Sequence, residues 1–211
     1  MSHISVSDSE YKALANKTIV ISGASSGIGE AAVKLASENG AKIVLGDVNE
    51  EAGEEVAKRC GGNAYFVKCN VASWQDWIKL FKKAHDLFGR IDVVIHNAGI
   101  FEKSDWLQDS YNESGEKDVT ALIEPTFPVI DVNLKGALYA TKLALHYFRK
   151  QNDGCGSLMF TGSIASYIDS PPLWTYGATK TGILGLMRAL RHQAEVEKIW
   201  TVNMVAPWMT C

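Results

Sequence analysis

The residue types with the clearest chemical use are Tyr176 and Lys180, in Tyr176-Gly-Ala-Thr-Lys180. Four residues apart, they share one face of any helix that carries them. Ser163 stands thirteen residues before Tyr176, in Phe160-Thr-Gly-Ser163, just after an apolar run. A free phenol titrates at about 10. A nearby ammonium favours the phenolate and draws that value toward working pH. With a hydroxyl facing both, such a pair can move a proton on and off an alcohol oxygen. Most Tyr-x-x-x-Lys pairs are plain surface residues, so the pair gains meaning only from what surrounds it.

A second site is a glycine loop. Thr18-Ile-Val-Ile21 is a short β-branched run and reads as a buried strand. It leads into Ser22-Gly23-Ala-Ser-Ser-Gly27-Ile-Gly29, after which Ala31, Ala32, Leu35 and Ala36 recur at helical spacing until Asn39-Gly40. In a strand–loop–helix setting, glycine permits the tight turn and lets backbone N–H groups approach a pyrophosphate at the positive helix end. Gly23, Ser25, Ser26, Gly27, Ile28 and Gly29 are the candidate cradle. A merely tight strand-to-helix turn is the alternative.

Asp47 ends the next strand, Lys42–Gly46, eighteen residues after Gly29. That is near the spacing at which a carboxylate meets an adenosine ribose. It would accept from both ribose hydroxyls and repel a 2′-phosphate. No arginine or lysine occupies Ala24, Ser25, Ser26 or Val48 to welcome that phosphate, so the reading is NAD rather than NADP. An ordinary strand-end residue before the helix cap Asn49 is the alternative.

These residues need elements to hold them. Residues 1–16 read as an arm with a short helical piece. A helix over 50–60, a strand at Ala64–Val67, a helix capped by Ser73 with Trp77, Leu80 and Phe81 in the core, and a strand at Ile91–Ile95 leading to His96-Asn97-Ala98-Gly99 follow in turn. Further on come a helix from Val129 to Gln151 carrying Asn133, a strand at 156–160, a helix from Tyr176 to Glu197 and a strand at 200–205 ending at Pro207. Strands alternating with helices predict a Rossmann-like α/β fold, a doubly wound parallel sheet in one domain over 1–211. Gly23 to Gly29, Asp47, Asn97 to Gly99 and Ser163 all fall at carboxyl ends of strands, where ligands collect in such sheets. The stretch 101–130 breaks the rhythm. Between Glu102 and Glu124 it holds seven acids and two lysines, and reads as a solvated loop or as a substrate-side flap or partner contact.

Composition excludes several classes. A formal net charge of -3 gives no reason to expect nucleic acid or an anionic membrane. No apolar run spans a bilayer, and Met1–Lys17 has no apolar core of a signal peptide. Cys60, Cys69, Cys155 and Cys211 show no Cys-x-x-Cys spacing and suit free thiols in a reducing cytoplasm; the five histidines suggest no metal site.

Together, Ser22-Gly23-Ala-Ser-Ser-Gly27-Ile-Gly29, Asn97-Ala-Gly99, Asn133, Ser163 and Tyr176-x-x-x-Lys180 resemble the short-chain dehydrogenase/reductase family, over about residues 16–208. The resemblance implies a catalytic tetrad of Asn133, Ser163, Tyr176 and Lys180. Tyr176 would be the base in alcohol oxidation and the acid in ketone reduction. Lys180 would hold the nicotinamide ribose and favour the phenolate, Ser163 would hold the substrate oxygen, and Asn133 would anchor a water. Val48, Asn70, Val71, Asn97, Ala98, Gly99, Pro207 and Trp208 would complete the contacts to NAD. The implied activity is NAD-dependent oxidation of a secondary alcohol, or its reverse. An NADP-dependent ketone reductase and a non-catalytic dinucleotide sensor or scaffold are the alternatives. The implied assembly is a homodimer or homotetramer using helices near 134–150 and 176–194.

Several residues depart from the family pattern. His96 replaces the first asparagine of Asn-Asn-Ala-Gly, Asn70 an aspartate, and Trp208 a glycine after Pro207. Trp208 would bring an indole near the nicotinamide and shape a pocket for a bulky or aromatic substrate. The family commonly runs about forty residues further, into a substrate-covering segment and a seventh strand. The chain therefore reads as truncated or partly ordered, or as a member with an open substrate side.

Overall fold

The computed structural model describes residues 6–102, 124–151 and 155–208. A short helix, α1 (Asp8–Tyr11), and a 3-10 turn precede the first strand. Six parallel strands form one sheet in the order β3-β2-β1-β4-β5-β6. They are β1 (Thr18–Ser22), β2 (Lys42–Asp47), β3 (Ala64–Lys68), β4 (Val93–His96), β5 (Gly156–Thr161) and β6 (Trp200–Val205). The helices between them are α2 (Gly27–Glu38), α3 (Glu50–Arg59), α4 (Trp74–Phe88), α5 (Gly136–Lys150) and α6 (Trp174–Glu197).

Strand alternation divides the core. Ile19 and Ile21 of β1 join Ile43 and Leu45 of β2 beneath Val33 and Ala36 of α2 and Val56 of α3. Val20 and Val44, one residue out of phase, face the opposite cluster with Trp77 and Phe81 of α4, Phe148 of α5 and Ile183 of α6. Both faces of the sheet are covered, so β1 is buried along its whole length. Trp77 is fully buried and its indole N–H donates to the Val71 carbonyl at 2.9 Å, as a buried indole requires.

Local chemistry sets the helix ends. Asn49 and Ser73 cap α3 and α4, accepting from the N–H groups of Ala52 and Asp76. Gly89, in the left-handed region at φ 73°, closes α4. The direction in which successive strands are added reverses between β1 and β4, which pair from Ile19–Val93 to Ser22–His96. Asp92 fixes that register at its lower end by accepting the Thr18 N–H at 2.8 Å. The upper end of the joint is the switch point where ligands bind in this topology.

Among the described residues the expected strands and helices are present, with shifted bounds. β4 starts two residues later than the expected strand, and α6 starts at Trp174 rather than Tyr176. The expected continuous helix from Val129 is instead a π-helical segment, Ile130–Lys135, that gives way to α5. Most of the acidic stretch 101–130 lies outside the described residues, as does Cys211. Among the described residues no disulfide joins Cys60, Cys69 and Cys155, and no helix is long and apolar enough to cross a membrane.

Candidate active site

The glycine loop is built against the turn after β4. Gly23 has φ 65°, and a Cβ there would lie 2.5 Å from the Ala98 Cα. Backbone conformation and contact therefore both demand glycine. Gly27 has φ 56°, yet a Cβ there would meet nothing within 4 Å, because it faces open space. Ser26 precedes α2 without giving its first turn a side-chain cap. The first N–H groups of a twelve-residue helix are thus left for another acceptor. Asn97 ties three strand ends together: its Nδ2 donates to the Gly23 carbonyl at 2.7 Å, and its Oδ1 accepts from the Thr161 hydroxyl at 3.0 Å.

Asp47 sits at the end of β2 with its carboxylate pinned on both sides. Oδ2 accepts the Ser25 N–H at 3.0 Å and Oδ1 accepts the Asn49 N–H at 3.1 Å. Each oxygen keeps lone pairs for a ligand, and the orientation is set in advance. Val48 beside it is exposed. Asn70 turns its amide inward to the chain, accepting from the Ala72 N–H at 3.0 Å.

Tyr176 and Lys180 lie one turn apart on α6, both buried, with Lys180 Nζ 5.4 Å from the centre of the Tyr176 ring. Lys180 donates to the Thr161 carbonyl at 2.7 Å. Burial pushes its pKa down from 10.5 to about 8, since desolvation disfavours the cation. Ser163 caps a short turn, Ile164–Ser166, by accepting the Ala165 N–H at 3.2 Å. Ser166 in that turn donates to the Lys180 carbonyl at 2.8 Å, so the Ser163 turn is tied directly to α6.

Asn133, fully buried in the π segment, uses its whole side chain inside the protein. Its Oδ1 accepts the Ile100 N–H at 2.8 Å, and its Nδ2 donates to the Ile100 carbonyl and to Thr179 Oγ1 at 3.0 and 3.1 Å. Thr179 in turn donates to the Tyr176 carbonyl. The Asn133 backbone carbonyl lies 3.2 Å from His96 Nε2.

These parts surround one cleft of about 810 Å³. Every expected cofactor or catalytic residue lines it except Ser25, Gly29 and Asn133, which support it from behind. Sequence reasoning missed several supporting residues. The Phe101 ring packs on Tyr176 with centres 4.4 Å apart, and Glu102 accepts the Tyr176 N–H at 2.8 Å while its buried Oε2 has no hydrogen-bond partner among the described residues. Thr161 holds both Lys180 and Asn97. None of the three carries a periodic or spaced signal; each acts across elements far apart in the chain. His96 did carry one, since it stands where the family pattern has asparagine.

The family model described as short chain dehydrogenase matches residues 17–211. The chain belongs to the short-chain dehydrogenase/reductase family. It is 38% identical to "Short-chain dehydrogenase/reductase prx4" of Penicillium rubens over all of its length, while spanning 59% of that relative. It is 32% identical to "NADP-dependent dehydrogenase clz5" of Cochliobolus lunatus, covering 94% of this chain and 72% of the relative. Among solved structures, 3-ketoacyl-(acyl-carrier-protein) reductase from Brucella melitensis complexed with NADH superposes with a TM-score of 0.79 at 26% identity, over 92% of this chain and 76% of that one. The cleft of this chain lies where a doubly wound sheet places ligands.

Proposed function

We propose that this chain catalyses NAD-dependent oxidation of a secondary alcohol to a ketone, or the reverse reduction, with Tyr176 as the proton carrier. The observation that carries the reading is the single cleft that runs from the open glycine loop to buried Lys180 and Tyr176, with Ser163 on its wall. The residues fit a dinucleotide. Gly27 leaves room where a Cβ would stand, the first turn of α2 lacks a side-chain cap, and Asp47 is held with lone pairs to spare. A nicotinamide dinucleotide bound there would accept or supply the hydride.

The side chains then divide the work. The α2 N-terminus and Gly23 to Gly29 would hold the pyrophosphate, with Asp47 on the adenosine ribose and Asn70 and Val71 near the base. Lys180, braced by Thr161, would hold the second ribose and place a positive charge beside the Tyr176 phenol. Tyr176 would take the hydroxyl proton during oxidation and return it during reduction. Ser163 would donate to the substrate oxygen. Asn133 would act through its backbone carbonyl, because its amide is already spent on Ile100 and Thr179.

NAD is favoured over NADP because Asp47 would repel a 2′-phosphate, and among the described residues Lys180 is the only lysine or arginine lining the cleft. The NADP-dependent name of one relative keeps the reductase as the rival reading. A non-catalytic sensor would not need Ser163, Tyr176 and Lys180 together. Within this reading the protein works in the cytoplasm as a homodimer or homotetramer on a small alcohol or ketone. Leu138 of α5, 47% exposed, is one apolar group that such an interface would cover. Trp208, 64% exposed at the cleft, suits a bulky or aromatic substrate. Fluorescence titration with NADH and with NADPH tests the cofactor. NADH should bind more tightly, and Asp47→Ala should reduce the preference by on the order of tenfold, the worth of one hydrogen bond to a charged acceptor. Tighter NADPH binding by the unaltered protein would overturn the assignment.

A further inference from the structure

His96 belongs to none of the roles above, yet it stands between them. It ends β4, is 1% exposed, and lies beside the indole of Trp77. Its two nitrogens meet two different elements. Nδ1 lies 3.2 Å from Ser22 Oγ, at the end of β1, and Nε2 lies 3.2 Å from the Asn133 carbonyl in the π segment. Burial pushes its pKa down to about 4, so the ring is neutral at ordinary pH, with one donor and one acceptor.

The hydrogen-bond roles then follow without freedom. A backbone carbonyl only accepts, so Nε2 carries the proton. Nδ1 must therefore accept, and Ser22 must donate its hydroxyl proton to it. The Ser22 oxygen remains free to accept the Ala98 N–H, 3.4 Å away. Gly136 makes room for the ring, since a Cβ there would lie 3.1 Å from His96 Cε1. Asparagine at this position would present both polar atoms from one carbon and with one bond less reach. The imidazole spreads them across a ring, toward separate elements.

Each end of this link leads to a working part. Ser22 immediately precedes Gly23, whose backbone packs against Ala98. Asn133 holds Ile100 and Thr179, and Thr179 holds the Tyr176 carbonyl. We propose that His96, fixed as the Nε2–H tautomer between Ser22 and the Asn133 carbonyl, is a positioning residue that couples the cofactor loop to the turn carrying Tyr176 and Lys180. The coupling rests on the function proposed above; the tautomer does not.

Two measurements on the full chain separate these claims. Nitrogen-15 spectra of the histidine rings in the unliganded protein should show His96 with Nε2 protonated and Nδ1 bare, unchanged over roughly pH 5 to 8. A protonated Nδ1 or an imidazolium overturns the proposal without reference to any reaction. The second measurement compares His96→Phe, His96→Gln and Ser22→Ala at a temperature where each is folded by circular dichroism. His96→Phe should weaken NADH binding and lower kcat together, each on the order of tenfold for a lost buried hydrogen bond. His96→Gln should recover part of both, and Ser22→Ala should affect NADH binding more than kcat. A lowered melting temperature with unchanged NADH affinity and kcat in all three variants would reduce His96 to a packing residue and overturn the coupling. An unaltered protein that binds neither NADH nor NADPH would overturn the parent reading and the coupling with it, and would leave the tautomer result standing.

Discussion

That Tyr176, Lys180 and Ser163 meet at one cleft was legible in the sequence, because residue type and short spacing place them. A helix fixes the first pair, and a strand end fixes the third. Replacing Tyr176 with phenylalanine should lower kcat by about 10²–10⁴-fold, the usual worth of a positioned acid or base, with NADH affinity nearly intact in the titration. Lys180 carries a second expectation. Its pKa falls from 10.5 when free to about 8 when buried, so between those values the unfolded chain binds more protons than the folded one. Stability contributed at this site should therefore rise as pH climbs from about 8 toward 10.5. Lys180→Met should remove that rise in urea unfolding midpoints while abolishing turnover; an identical pH slope in both proteins would refute it. Glu102 and Thr161 were illegible for the opposite reason. Each serves a residue many positions away, and only the folded chain brings donor and acceptor together.

The helices and strands were readable from periodicity, and their capping residues from type, as with Asn49 and Ser73. The exception is the start of the long helix after Val129. Asn133 bonds to both backbone groups of Ile100, on a different segment, and the chain there is wound as a π segment. Local propensity contains no trace of such a contact. At the same scale, the two positive-φ glycines of the loop should part company. Gly23→Ala would drive a Cβ into the Ala98 backbone and should damage both stability and NADH binding. Gly27→Ala has open space and should cost only the left-handed strain, about 1–2 kcal/mol. It should still block the pyrophosphate. Melting temperature and NADH titration run on both variants would expose any failure of that contrast.

For the whole molecule, alternating strands and helices announced a doubly wound sheet, and the glycine motif placed its switch point beside β1. The hydrogen bonds that cross the switch point were not announced, because they depend on β1 and β4 lying side by side. One of them should be felt globally under acid conditions. His96 titrates at about 4 when folded against 6.5 when free, so its contribution is complete above 6.5 and is lost as pH falls toward 4. The acid limb of the stability curve should be shallower in His96→Gln than in the unaltered protein. Parallel limbs in chemical denaturation would show that His96 does not drive it.

The β1–β4 pairing also bears on assembly. It is the sole ladder joining the first three strands to the last three in the described sheet. The groups that brace the glycine loop, His96 and Asn97, lie 74 residues downstream of the atoms they hold. A growing chain can therefore pair its first strands early and still lack a finished loop until this large segment has closed on itself. If the chain binds a dinucleotide as proposed, competence to do so would wait for that closure.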